Sequence, residues 1–544
     1  MPESPERIDA MFPRLDDAQI ARLAAWGEPR KLAPGEVLYE QGDATHGVFV
    51  VLDGVLEVVG VWRDESVPKI LCRGMFTGEV NLLSGRRSLV QVRAQEASSV
   101  LEVGRENLRR ILQTDSELGE IFLRAFLLRR VYLIAHSAGD ALLVGSSHSA
   151  DTLRLRGFLA RNGHPHTYVD VERDPDVQGI LDQFEIGVKD IPVLICRGTL
   201  VLRNPSNAEA AECFGLNAGI DEGAVYDLIV VGAGPSGLAA AVYGASEGLN
   251  VLVLETTAPG GQAGCSSKIE NYLGFPTGIS GQDLANRAFA QAEKFGAHIA
   301  VARSALALKC TRPPYSVDLD DGKSVQARSI IVAAGAQYRK LPLPNLAQFE
   351  GNGVYYGATQ VEAQMCANQE VAVVGGGNSA GQAAMFLSAH AKHVHLLVRG
   401  PGLADSMSRY LISRIDASPN VTLRTWTEVE TLEGDGHLEG LHWRNVQTGE
   451  MDAREIQHLF LMTGACPQTA WLRGCLALDS KQFIKTGVDL ESEWPLQRAP
   501  HLLETSLPGV FAVGDIRAGS VKRVASAVGE GSMAVQFVHQ VLAE

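Results

Sequence analysis

Two glycine-rich turns set the terms on which this chain can fold. The first, Gly232-Ala233-Gly234-Pro235-Ser236-Gly237, follows the apolar run 226–231 and opens an Ala-rich stretch. The second, Gly375-Gly376-Gly377-Asn378-Ser379-Ala380, follows the run 371–374 in the same way. Strand, glycine turn and helix in that order let the backbone close on a pyrophosphate at the positive end of the helix. One such turn arises by chance. Two, each between an apolar strand and a small-residue helix, imply two Rossmann domains and two dinucleotides handled in series. The residue ending the next strand separates the ligands. Residues 250–254 lead to Glu255, a carboxylate suited to ribose hydroxyls, and 394–398 lead to Arg399, a cation suited to a 2′-phosphate. The first site reads as FAD or NAD and the second as NADPH, with NADH still open.

From about Ala224 onward the sequence resembles the low-molecular-weight thioredoxin reductase family. Gly260-Gly261-Gln262 and Ile269-Glu270-Asn271-Tyr272-Leu273-Gly274 are similar to its flavin-embracing loop. Thr463-Gly464-Ala465-Cys466-Pro467-Gln468-Thr469 resembles the return from its NADPH domain to its FAD domain. Phe511-Ala512-Val513-Gly514-Asp515 is similar to the strand whose Asp binds the ribityl chain. The resemblance implies FAD at Gly232, Gly234, Pro235, Ser236, Gly237, Glu255, Gly261, Gln262, Asn271, Gly335, Gly514, Asp515, Arg523, Val524 and Ala525. It implies NAD(P)H at Gly375, Gly377, Asn378, Ser379, Ala380 and Arg399. It also implies a homodimer, hydride transfer from nicotinamide to flavin, and a domain rotation that alternates access to the flavin.

The departures from that family matter as much. Where it carries Tyr-Cys-Ala-Thr-Cys, this chain reads Tyr356-Gly357-Ala358-Thr359-Gln360. Gly357 and Gln360 form no thiolate, so disulfide exchange by the family's route is chemically closed and no catalytic residue is assigned. Where the family shows consecutive arginines for the 2′-phosphate, Arg399 is followed by Gly400, with Arg409 and Arg414 further on. The eight cysteines are 72, 196, 213, 265, 310, 366, 466 and 475. None are spaced as CxxC, so neither a local dithiol nor a metal site is encoded, and we read them as unpaired. Cys265 reads as a small residue packed near the cofactor, a single redox cysteine being the alternative. Cys366 reads as an ordinary buried cysteine.

The first 137 residues carry another pattern. After an opening helix over 16–26 come short segments split by Gly35, Gly42, Gly47, Gly54 and Gly60. The runs 31–43 and 48–54 resemble the β-roll of cyclic-nucleotide-binding domains. In that family a Gly-Glu opens a short helix facing the cyclic phosphate, the Glu takes a ribose hydroxyl, and a later Arg pairs with the phosphate. Within 78–88, Gly78, Glu79, Arg87 and Ser88 fit those roles, and Arg86 adds a cation. Two arginines also suit a cyclic dinucleotide. A helix over 117–135 follows, without a DNA-reading module, and the net charge of −15 argues against nucleic acid as a partner.

Residues 138–216 read as a strand (141–145), a helix (151–162), a strand (167–171) and a hairpin (190–195 with 199–202). This resembles a thioredoxin or glutaredoxin fold, with Ile191-Pro192-Val193 at the family's cis-proline and Ser147-His148-Ser149-Ala150 where its CxxC belongs. The module reads as a spacer or docking surface, and 217–223 as a linker.

The expected fold class is multidomain α/β with an N-terminal β-roll. Its parts are a cyclic-nucleotide-binding domain (1–137), a thioredoxin-like module (138–216), an FAD domain (217–341 and 463–544) and an NAD(P)H domain (342–462), consistent with roughly 150 residues per domain. No apolar run reaches transmembrane length, and the polar, acidic start is unlike a signal peptide. Unpaired cysteines and an NADPH site indicate the cytoplasm. The assembled reading is an FAD-dependent NAD(P)H oxidoreductase regulated by a cyclic mono- or dinucleotide, passing electrons to an unidentified acceptor: an iron–sulfur or quinone acceptor, dioxygen or a partner disulfide. The alternatives are a thioredoxin-disulfide reductase using non-standard cysteines, and a non-enzymatic receptor on a flavoprotein scaffold.

Overall fold

The apolar runs beside the first glycine turn build a parallel sheet. In the computed structural model, Val225–Val231 pairs with Val251–Glu255 on one side and Ser324–Val332 on the other. His298–Val301 and Val510–Ala512 extend it in parallel. The antiparallel strands Tyr315–Leu319 and Ala305–Lys309 complete seven strands. Side chains alternate faces at the strand period of two. Leu228 and Val230 join a core with the helices Pro235–Ser246, Gly281–Phe295 and Val524–Ala543, while Ile229 and Val231 join one with Tyr315, Val317 and Ile484. The structure describes residues 5–544 apart from 44–46, 60–69, 80, 85, 136–140, 148, 175–176, 185, 198, 218–219, 222, 267 and 473. Gly60, His148 and part of the linker over 217–223 therefore lie outside the described residues.

The second turn sits in a five-stranded parallel sheet, ordered Val354–Tyr355, His458–Leu461, Glu370–Val374, His393–Val398 and Val421–Thr425. The helices Asn378–Ser388 and Arg409–Asp416 pack on one face through Ala380, Ala384, Leu387 and Leu411. A three-stranded antiparallel sheet, 427–454, shares the core of the other face through Leu432, Leu441 and Trp443. The ribbon of Ala336–Tyr338 with Ala465–Pro467 ties the two halves together.

Ahead of these lie two antiparallel sheets, Glu28–Leu32, Ser98–Gly104 and Gly47–Asp53, and Val37–Tyr39, Gln91–Ala94, Leu56–Val59 and Ile70–Leu71. The first of their flanking helices, Asp17–Ala24, starts where Asp16 accepts from the Gln19 N–H in a capping box. Ser116–Ala135 buries Phe122, Phe126, Arg129 and Leu133 at helical spacing. Between these sheets and the seven-stranded sheet, Ala141–Gly145 pairs in parallel with His166–Asp170 and antiparallel with Val193–Cys196, which pairs with Leu200–Arg203. The Ile191–Pro192 bond is cis.

The cysteine reading needs correction. Cys196 is bonded to Cys213 and Cys310 to Cys475, across sequence separations of 17 and 165. Neither pair has a local spacing, because strand pairing and helix packing bring them together. The argument for the cytoplasm from unpaired cysteines therefore falls. Among the described residues Cys72, Cys265, Cys366 and Cys466 are free, and Cys366 is buried as expected.

Candidate functional site

The first glycine turn is shaped to hold a dinucleotide. A Cβ on Gly237 would stand 1.8 Å from the Gly232 carbonyl oxygen, so no side chain fits there, while beyond Gly234 there is open space. Pro235 begins the helix and Gly234 caps it, leaving first-turn N–H groups free for an anion. Glu255 is buried at the end of its strand and accepts from the N–H of Ala233 (2.8 Å) and Thr257 (2.8 Å), which fixes it beside the turn. Gly261 faces Gly234, with 3.1 Å between its would-be Cβ and the Gly234 Cα. The Gln262 amide donates to the Ala336 carbonyl, Asn271 is exposed, and open space adjoins Gly335. Gly514 is held by the Glu530 carboxylate (2.6 Å) and approaches the buried Ser236. Asp515 has no hydrogen bond to its carboxylate among the described residues, and burial pushes its pKa up, so it stands ready for a hydroxyl donor. Arg523 is the N-cap of the last helix, whose first turn holds Val524 and Ala525, and the preceding Lys522 donates to the Asp515 carbonyl (2.7 Å). The arrangement fits FAD.

At the second turn Gly375 takes φ +146°, and a Cβ there would lie 2.3 Å from the Met462 carbonyl oxygen. Gly377 caps the helix that Asn378, Ser379 and Ala380 begin. The Asn378 side chain accepts from the Ser408 N–H (2.7 Å) and Ser406 donates to the Gly376 carbonyl (2.8 Å), folding 400–408 against the turn. Arg399 is exposed at the strand end, and Arg409 is exposed too. Arg414 points elsewhere: its guanidinium meets Glu270 of the flavin loop at 2.6 Å.

Gly357 faces the flavin loop. A Cβ on it would lie 3.7 Å from the Cys265 Cβ. Burial raises the Cys265 pKa, outweighing the pull of Arg161, so its thiol is the opposite of a poised thiolate. Arg161, at the end of the helix Ala150–Arg161, donates to the Gly261 carbonyl (3.1 Å) and its own carbonyl accepts from Gln282 (2.9 Å). The other end of that helix reaches Gly351, whose would-be Cβ lies 3.3 Å from the Ala150 Cβ. The middle module thus touches both halves of the flavoprotein, contacts that no local sequence signal announced.

In the roll, Gly78, Glu79 and Ser88 line one cavity with Tyr39, Thr77 and Arg129. It encloses about 40 Å³. Glu79 is drawn toward Arg130 (3.5 Å), and its other oxygen has no hydrogen-bond partner. Desolvation raises its pKa against the opposing pull of Arg130, Arg86 and Arg129. Arg86 and Arg87 do not reach this cavity. Arg87 donates to the Gly42 carbonyl (3.3 Å) and packs against Gly215, while Arg86 is buried over the Phe289 ring at 4.7 Å. The cation inside the roll is Arg129, which donates to the Met11 and Gly78 carbonyls. Its burial at helical spacing with Phe122 and Phe126 is the sequence signal that would have found it.

Comparisons with known proteins agree with this geometry. The cyclic nucleotide-binding domain family matches residues 29–115, and the pyridine nucleotide-disulphide oxidoreductase family matches residues 226–531. The chain is 34% identical over 311 residues to a thioredoxin reductase of Streptomyces coelicolor, covering 57% of this chain and 92% of that protein. It is 31% identical over 354 residues to the NADPH-dependent thioredoxin reductase 3 of Arabidopsis thaliana, covering 62% of this chain but 64% of that protein, just under two thirds. The crystal structure of Lactococcus lactis thioredoxin reductase superposes with a TM-score of 0.53 at 27% identity, covering 58% of this chain and 99% of that one. That of T. acidophilum gives 0.53 at 27%, with 59% and 99% covered. Among the described residues no helix is long and apolar enough to cross a membrane. With two glycine turns, a hydrogen-bond-ready Asp515 and a family match over more than half its length, the chain belongs to the pyridine nucleotide-disulphide oxidoreductases, as a thioredoxin reductase-like, NAD(P)H-dependent oxidoreductase preceded by a cyclic nucleotide-binding domain.

Proposed function

We propose that the chain is an FAD-dependent NAD(P)H oxidoreductase that passes electrons to an acceptor other than an internal dithiol, under control of a cyclic mono- or dinucleotide at its N-terminal domain. The observation that carries this is the run Tyr356-Gly357-Ala358-Thr359-Gln360, which holds no thiol where the family that the sequence resembles is expected to carry its redox cysteines. FAD, when bound, supplies two-electron acceptance from the nicotinamide. The chain's own part is positioning: Gly237 and Gly375 admit the two pyrophosphates, Glu255 and Asp515 accept from hydroxyls, and Arg399 meets the 2′-phosphate. The domain division that goes with this reading is 1–137, 138–216, 217–341 with 463–544, and 342–462, in a homodimer for which the NADPH site is the remaining argument for the cytoplasm. Glu79 and Ser88, with Arg129, are the polar groups available to a nucleotide inside the roll.

Anaerobic mixing of the FAD-loaded protein with NADPH tests the reading. Bleaching of the flavin absorbance, with negligible turnover on thioredoxin, is the expected result; an unbleached flavin would favour the receptor alternative. A second reading, disulfide reduction through Cys265, draws on the closeness of that residue to Gly357. Thioredoxin turnover that disappears in Cys265→Ser would establish it.

A further inference from the structure

A second cavity lies where the roll meets the flavin domain. It measures about 310 Å³ and is lined by Arg86, Arg105 and Arg109 from the roll side and by Glu293 and His298 from the flavin side. Arg105 and Arg109 stand one turn apart on Arg105–Thr114, and both donate to the Leu83 carbonyl, at 3.2 and 2.6 Å. That anchors their guanidiniums at the cavity wall. Arg86 is held over Phe289, one turn before Glu293 on the facing helix.

Two of the polar groups around this space are left with unsatisfied atoms. Glu293 is 3% exposed, one of its oxygens has no hydrogen-bond partner, and no guanidinium forms an ion pair with it among the described residues. The Arg109 Nε is likewise buried without a partner. Three guanidiniums line this space against one buried carboxylate, and Arg105 and Arg109 are only half-buried, so its wall is cationic and open to an anion from solvent. Guanidinium forks match phosphate oxygens in geometry as well as in charge. Size separates the two cavities: ligand sites run to roughly 300–1,000 Å³, which the interdomain space meets and the roll interior does not.

We propose that this interdomain cavity is a binding site for a dianionic phosphate group carried on a molecule of mononucleotide size, separate from the interior of the roll. Arg86, Arg105 and Arg109 take the phosphate, and Glu293 takes a hydrogen-bonding group of the rest of the molecule. The site joins the cyclic nucleotide-binding domain to the helix Gly281–Phe295, which packs through Ala285 and Gly281 on the flavin loop at Gly260 and Ala263. Occupancy therefore bears on the flavin loop directly.

Calorimetry on the FAD-loaded full-length protein tests this with three probes: AMP, inorganic phosphate and 3′,5′-cyclic AMP. AMP is expected to bind more tightly than cyclic AMP, whose phosphate carries a single charge, and inorganic phosphate is expected to compete with AMP. Arg105→Ala should weaken AMP about tenfold or more. Arg109→Gln, which keeps a donor for the Leu83 carbonyl, should do the same without loss of fold. Glu79→Gln, inside the roll, should leave AMP affinity as it was. Absence of AMP and phosphate binding down to the millimolar range, or AMP binding lost in Glu79→Gln and kept in Arg109→Gln, overturns the proposal. Flavin reduction by NADPH is not read here, so failure of this site leaves the oxidoreductase reading standing.

Discussion

The Arg414 guanidinium lies 2.6 Å from the Glu270 carboxylate, tying the nicotinamide-side helix to the flavin loop. Both side chains are partly exposed, so the pair contributes no more than about 1 kcal/mol and weakens with salt. It nonetheless occupies Arg414. The Arg414→Ala variant should keep the wild-type ratio of kcat/KM for NADPH over NADH, and its flavin-reduction rate should lose part of its salt dependence. A collapsed ratio would move the 2′-phosphate to Arg414.

Arg399 is the complementary case. It is exposed at the end of His393–Val398, and the structure gives its guanidinium no partner among the described residues. Arg399→Ala should lower the NADPH-to-NADH ratio about tenfold, the scale of one charge-assisted contact, with the change carried by the KM for NADPH. Bound flavin should be unaffected. An unchanged ratio points to Arg409.

The 3.7 Å between the Cys265 Cβ and a Cβ on Gly357 falls inside the disulfide range of about 3.5–4.5 Å. Gly357→Cys, oxidised with diamide, should therefore cross-link the flavin loop to the nicotinamide domain. Intact mass and thiol counting would register one disulfide and two fewer thiols. If turnover requires the domains to rotate, the oxidised variant loses activity and regains it on reduction. Two persistent free thiols would contradict the geometry.

Burial raises Glu293 from 4.5 to about 7, against the pull of Arg86, Arg109, Arg105 and Arg130, with His298 also facing the space. The folded protein then holds a proton that the unfolded chain has lost. This stabilisation is complete below about pH 4.5 and is lost as pH rises through about 7, amounting to as much as ~3 kcal/mol. Urea midpoints measured between about pH 5 and 8, in buffer free of phosphate and sulfate, should fall more steeply for wild type than for Glu293→Gln. Parallel pH profiles would remove Glu293 as the titrating group.

Local pattern carried the fold far. Runs read at 226–231 and 371–374 became Val225–Val231 and Glu370–Val374, and the helix read over 117–135 became Ser116–Ala135. Strand alternation, glycine turns and caps are short-range effects, so they are written in neighbouring residues. What escaped depends on distant packing. The bonds of Cys196 to Cys213 and Cys310 to Cys475 join residues that no spacing rule connects. Arg86 and Arg87 are expected from their motif to face a nucleotide, yet Phe289 and the Gly42 carbonyl hold their side chains away from the N-terminal cavity, which Arg129 lines instead. Sequence places a charged residue on a loop; neighbours decide which way it turns.

The helix Ala150–Arg161 works as a strut. Twelve residues at about 1.5 Å each make a rod of about 18 Å, pinned to the flavin loop at Gly261 and to the helix Gly281–Phe295 at Gln282, and abutting Gly351 at its far end. A rod fixed at one end blocks travel in one direction and leaves the other free. A displacement that drives Gly351 into Ala150 meets the helix end, whereas one in the opposite sense opens a gap there. Contact at Gly351 thus makes resistance to motion there direction-dependent.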